Sequence, residues 1–215
     1  MSTNKDILNA TNEFKSLVLE YGADFVGIAD PFKLAEISGK KSPFSAMENT
    51  KAVIIFGISM PKEIMEEVPD TEYQRMLASH FDKLRRIAKK VARWLEEQGF
   101  NSYPCHDQED IEHKKAAELA GLGRVGSHTL LITPLYGPRV HLNSVLTDYS
   151  LKFDTIVETK FCDQCDECIK GCPPAALKNG LEVDLQKCLN YRYTELKKRY
   201  CGLCMKICWQ HLGCP

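Results

Sequence analysis

Nine of the chain's ten cysteines fall between Cys162 and Cys214, and the tenth is Cys105. The densest stretch reads Cys162-x2-Cys165-x2-Cys168-x3-Cys172-Pro173. Spacings this short gather several sulfurs around one centre, as a thiolate-bound metal requires. A second set follows in Cys188, Cys201, Cys204 and Cys208. Disulfides are one competing use, but they belong to oxidising compartments and short secreted chains. Met1 to Asp6 is polar and no apolar signal core follows, so a reducing, cytoplasmic setting is expected. Structural zinc is the other competitor, and it favours four cysteines from paired C-x2-C knuckles. Three cysteines at strict x2 spacing followed by Cys-Pro suit an iron–sulfur cubane better.

The first run resembles that of bacterial ferredoxins with two [4Fe–4S] clusters. In that resemblance the fourth cysteine of each run ligates the other cluster. It implies one cluster on Cys162, Cys165, Cys168 and Cys208, and a second on Cys172, Cys188, Cys201 and Cys204. Cys214 precedes Pro215 and is the alternative to Cys208, which precedes Trp209. The Cys204-to-Cys208 spacing equals that of Cys168 to Cys172 and favours Cys208.

Of 215 residues, 44% are hydrophobic and 27% charged, with a formal net charge of −1. That balance excludes wholesale disorder and argues against a bulk nucleic-acid binder. No apolar run reaches the ~20 residues of a membrane span. Residues 1–158 carry a net charge of −4 and residues 159–215 a net charge of +3. A positive segment rich in thiolates suits a negatively charged cluster.

Periodicity supplies the elements. Helices are expected over 5–21, 70–98 and 109–119, and strands over 24–30, 51–59, 100–105, 129–133 and 139–147. The last two strands, with Pro134, Gly137 and Pro138 between them, read as a hairpin. Residues 37–50 read as a loop. The pattern predicts an α+β chain, with an α/β domain over 1–158 and a small, loop-rich unit over 159–215.

Several features mislead. Gly121-x-Gly123-x-x-Gly126 matches a dinucleotide fingerprint, but a helix precedes it and a strand follows, the reverse of the required order. It reads as a glycine-rich helix exit, or as a loop whose bare backbone admits a large cofactor. Ser38 to Ser42 is not a P-loop. His80 and His113 read as surface residues, His128 and His141 as core or site, and Cys105 as a plain buried thiol. Lys197-Lys198-Arg199 reads as a solvated face, with docking of an acidic electron donor as the alternative.

The string Ala120-Gly-Leu-Gly-Arg-Val-Gly126, then Leu130 to Pro134, Tyr136 to Val140 and Thr147-Asp148, followed by the cysteine run, resembles the corrinoid-dependent reductases. That family comprises epoxyqueuosine reductase and the reductive dehalogenases. Asp184-x2-Lys187-Cys188-x2-Tyr191 and the segments DFVGIADP and KAVIIFGISMP are similar to the reductase. The resemblance implies a nitroreductase-like α/β domain that holds cobalamin, joined to a two-cluster ferredoxin module. It implies electron flow from the remote cluster to the near one and on to cobalt, with the protein placing the cofactor. Gly121, Gly123, Gly126, His128 and Arg139 are then the candidate cobalamin contacts. Asp107, thirteen residues before Ala120, is the candidate proton donor, although a helix N-terminal acid reads equally well. A low-potential ferredoxin or flavodoxin is the implied donor. The dehalogenase's export signal and the reductase's tRNA-associated extension are not recognisable, so tRNA is not an expected substrate. Two readings follow: a corrinoid iron–sulfur reductase of a small compound, or an electron relay to a partner such as a corrinoid protein. A flavin protein is a third.

Overall fold

The computed structural model describes residues 4–39, 41–105, 110–159, 161–163, 165–178 and 181–213. Helix α1 (Asn4–Glu20) leads to strand β1 (Phe25–Ala29) and the short helices α2 (Pro31–Ser38) and α3 (Pro43–Ala46). Then come β2 (Ala52–Ser59), α4 (Lys62–Glu66), the long α5 (Thr71–Glu97), β3 (Ser102–Pro104) and α6 (His113–Leu119). Strands β4 (Arg124–Val125), β5 (Leu131–Ile132) and β6 (Val140–Thr147) follow. The cysteine-rich end holds α7 (Glu167–Lys170), β7 (Leu177–Lys178), β8 (Glu182–Val183), α8 (Leu185–Asn190), a π-helical turn (Tyr191–Glu195) and α9 (Leu203–Leu212). The fold is mixed α+β.

The chain packs as two compact units, each discontinuous in sequence. The first comprises 1–58, 81–122 and 141–157, and the second 59–80, 123–140 and 158–215. The second therefore holds more than the contiguous 159–215 of the sequence reading.

In the first unit a four-stranded sheet has the order β1-β2-β6-β3. Strands β1 and β2 are antiparallel, with Ile28 opposite Ile54, and β3 and β6 are antiparallel, with Tyr103 opposite Leu146. Strand β2 is buried along seven of its eight residues, as expected of a central strand apolar on both faces. Phe14 and Val18 of α1 and Leu84, Ile87, Ala88, Val91 and Leu95 of α5 join Ile28, Ile54 and Phe56 in one core. Those α5 positions step by three or four residues and so share a face. The Asp154 carboxylate fastens two segments of this unit. It accepts from Lys15 Nζ at 2.5 Å and from the Ile28 backbone N–H at 2.7 Å.

Four sequence expectations need correction. Residues 37–50 contain the end of α2 and all of α3. Asp30 and Ser42 cap these helices through their side chains, each with a proline at the first helical position. The expected hairpin of 129–133 with 139–147 does not form. Leu131 and Ile132 instead pair with Val125 and Arg124, and β6 joins the large sheet between β2 and β3. An isolated Thr133–Gly137 bridge closes the turn. His80 and His113 are 7% and 8% exposed rather than surface residues. Each falls on the apolar side of a helix whose other side carries the charges.

Candidate metal centre

The cysteines of the second unit are positioned by very short elements. Cys162 itself adopts a left-handed conformation (φ 67°), and its carbonyl accepts from the Cys165 N–H at 3.2 Å. That tight knuckle brings the two residues back beside each other. Cys168 lies on α7 and is 3% exposed. Beyond α7, the Cys172 sulfur accepts from the Ala176 N–H at 3.4 Å, a backbone-to-sulfur bond of the kind that steadies a thiolate. Cys188 lies on α8, whose first turn Asp184 caps by accepting from the Lys187 N–H at 3.1 Å. Cys204 and Cys208 sit one turn apart on α9, Cys208 buried. Helices α7 and α9 pack on each other.

Electrostatics sorts the sulfurs into neighbourhoods. The Cys168 thiol is pushed up to about 11, first by burial and then by Cys162 and Cys165. The Cys204 thiol is pushed up to about 12 by burial, and by Cys201, Cys168, Cys172 and Cys188. Cys201 is raised by burial, and Cys188 and Cys172 add to that. Cys162 and Cys165 thus act on Cys168, and Cys172, Cys188 and Cys201 on Cys204, while Cys168 also acts across the region on Cys204. Cys214 and Asp107 lie outside the described residues.

Two segments distant in sequence hold this region. Residues 123–140 pack on the first knuckle. A methyl group on Gly126 would lie 2.9 Å from the Cys162 sulfur, and Arg124 Nη1 reaches Asp163 at 3.1 Å. Residues 59–80 pack on the second set. Gln74 grips Tyr200 through both of its amide atoms, donating to its carbonyl at 2.7 Å and accepting from its N–H at 3.0 Å. Lys206 Nζ donates to the Glu66 carbonyl at 2.6 Å. Tyr73, 3% exposed, lies so close to Gly202 that any β-carbon there would strike its ring. Burial raises the Tyr73 phenol, and Cys204 and Cys201 raise it further.

An iron–sulfur cluster suits this chemistry. Thr159 Oγ1, Arg192 Nε and Trp209 Nε1 are buried with no hydrogen-bond partner among the described residues. Thr159 comes three residues before Cys162, Arg192 four after Cys188, and Trp209 directly after Cys208. Buried donors are rarely left unpaired, and cluster sulfides accept such bonds.

The candidate cobalamin contacts do not form an open cradle. A β-carbon at Gly121 would collide with the Thr155 carbonyl, and one at Gly123 with the Ile132 carbonyl. At Gly126 it would meet the Ile132 side chain and the Cys162 sulfur. The glycines admit this chain's own atoms. The His128 Nδ1 accepts from the Leu130 N–H at 3.1 Å and shapes the turn before β5. Arg139 staples residue 60, donating from Nη1 to the Met60 carbonyl at 2.6 Å while its own carbonyl accepts from the Met60 N–H. The contacts at these residues are thus with the chain's own atoms and not with open space of corrin size.

No protein-family model matches the chain. Among curated proteins it is 28% identical over 209 residues to the epoxyqueuosine reductase of Lactococcus garvieae, covering 87% of this chain and 59% of that one. It is 27% identical over 188 residues to the tetrachloroethene reductive dehalogenase of Sulfurospirillum multivorans, covering 75% of this chain and 37% of that one. A solved reductive dehalogenase, whose structure suggests a mechanism for B12-dependent dehalogenation, superposes with a TM-score of 0.79 at 28% identity. That match covers 97% of this chain and 32% of the dehalogenase. The chain therefore spans between about a third and three fifths of the length of these relatives. By sequence and by structure, it is homologous to the epoxyqueuosine reductases and the reductive dehalogenases.

Proposed function

We propose that the chain is an iron–sulfur oxidoreductase of this type, carrying low-potential electrons on two [4Fe–4S] clusters to an acceptor. The observation that carries the reading is the gathering of Cys162 to Cys208 in one unit, with α7, which bears Cys168, packed on α9, which bears Cys204 and Cys208. Cys208, buried on α9, which packs on α7, is the fourth ligand this reading gives the first set. When bound, the clusters supply one-electron carriage at low potential. The chain's own residues contribute burial, the Ala176 N–H on the Cys172 sulfur, and the clamp of Gln74 on Tyr200 just before Cys201. Each restricts water and movement at the ligands.

Two acceptors remain in play. The relatives support cobalamin and, through it, reduction of a small substrate. The closed glycines at 121, 123 and 126 favour the second reading, a relay that reduces a partner protein. Anaerobic reconstitution tests the shared part: about eight irons and eight sulfides per chain are expected, and zinc without iron overturns it. Titration with cob(II)alamin, followed by electron paramagnetic resonance, separates the two. Loss of the axial-nitrogen splitting supports the reductase, and an unchanged free-cobalamin spectrum beside intact cluster signals supports the relay.

A further inference from the structure

The π-helical turn Tyr191–Glu195 continues α8 and carries Arg192 four residues beyond Cys188. Its guanidinium is pinned on several sides. Nη2 donates to the Arg199 carbonyl. The guanidinium carbon lies 5.5 Å from the ring centre of Tyr193 and 5.6 Å from that of Tyr200. Tyr200 is itself fixed by both amide atoms of Gln74. Arg199 and Tyr200 immediately precede Cys201, so Arg192 is anchored on the backbone that presents the next cysteine.

That anchoring leaves Nε buried with no partner among the described residues. The Arg192 charge also draws down the Tyr73 phenol and the Cys201 thiol, which places it within electrostatic reach of the second cysteine set. A planar guanidinium set between two aromatic rings and bonded to one carbonyl is restricted in its orientation. Its spare N–H suits a sulfur acceptor, and charge and hydrogen bonds at the sulfurs are the protein's means of setting a cluster's potential.

We propose that Arg192 is the hydrogen-bond donor and counter-charge of the cluster held by Cys172, Cys188, Cys201 and Cys204, and that it raises that cluster's reduction potential. The inference rests on the two-cluster reading above. Reduction adds one electron to the cluster, and a fixed cation stabilises the more negative form. Removing the cation therefore makes the cluster harder to reduce, while the cluster on the first set is untouched.

Counting iron and sulfide in the reconstituted parent, R192Q and R192K comes first. A parent without about eight irons defeats the two-cluster reading itself. With the count intact, redox titration followed by electron paramagnetic resonance measures both midpoints. R192Q is expected to move one midpoint to more negative potential and leave the other in place. R192K keeps the charge without the planar fork, so its shift is expected to be smaller. Midpoints that stay put in R192Q, or that move together, overturn the proposal. If neither variant keeps its iron, pulsed resonance on the reduced parent labelled with 15N-arginine decides. A nitrogen coupling to the cluster supports Arg192 as donor, and its absence overturns the assignment.

Discussion

In the first unit, Phe14, Ile28, Ile54, Phe56, Leu84 and Val91 are all 1% exposed or less and pack in one apolar cluster. In the stretch 158–213 of the second unit, the buried apolar side chains among the described residues are few. Beyond Cys168 and Cys208 they are Ala176, Leu177, Met205 and Trp209. Burial of apolar area can hold the first unit folded unaided. So short a stretch with so small a core needs something else, and thiolate–iron bonds can supply it. The borrowed segments 59–80 and 123–140 add hydrogen bonds and ring contacts around the cysteines, and bring the buried apolar side chains Met60, Met65, Leu77, Leu131 and Ile132 that 158–213 itself lacks.

Stripping the clusters tests this contrast hardest. Chelation of the holoprotein, or Cys204→Ala at half the parent's iron, is expected to open residues 158–213 to hydrogen exchange while the sheet stays protected. Simultaneous loss of protection in β2 would break the comparison. Next in size is Phe56→Ala, expected to cost about 3–5 kcal/mol in denaturant unfolding of the first unit. The iron content of the folded protein should stay at the parent value. Smaller again is Gln74→Ala, which removes both bonds to Tyr200 and is expected to cost about 1–3 kcal/mol. Its signature is faster loss of half the iron to a chelator. The smallest effect concerns Cys105 in the first unit, whose thiol rises from 9.0 to about 12. Burial is the main cause, Asp110 adds to it, and a hydrogen bond with Ser144 opposes it. A raised folded-state value means the stabilisation is complete below pH 9 and declines as pH rises toward 12. About 1 kcal/mol should be gone by pH 10. Stability measured against pH should fall less steeply over that range in Cys105→Ala than in the parent.

The sequence showed the parts of the fold whose signal is local. The three-and-four stepping of Leu84, Ala88, Val91 and Leu95 marked α5, and the unbroken apolar run of 52–58 marked β2. Asp30-Pro31 and Ser42-Pro43 carried a readable cap followed by a first-turn proline, yet the polarity of 37–50 masked it. The pairing of β5 with β4 rather than β6 was not legible. A turn between two apolar runs says nothing about which strand lies on the far side of either. At the candidate centre, cysteine spacing exposed the sulfurs. Tyr73 and Gln74 carried no such mark, because contact between residues 126 positions apart, as in Gln74 with Tyr200, leaves no local pattern. The glycine string misled for the same reason. Its missing side chains make room for carbonyls at Thr155 and Ile132 that no spacing reveals.

The discontinuity of the second unit has a consequence in time. On the ribosome, residues 59–80 emerge long before 158–213, with which they are to pack. At the usual pace of synthesis the interval is on the order of ten seconds. Throughout it, Tyr73, 3% exposed in the finished protein and set against Gly202, has no C-terminal partner. A nascent chain stalled near residue 150 should therefore recruit holdase chaperones to this stretch, and release should track the completion of 158–213. The order of translation makes the latest segment of the second unit a gate on the earliest.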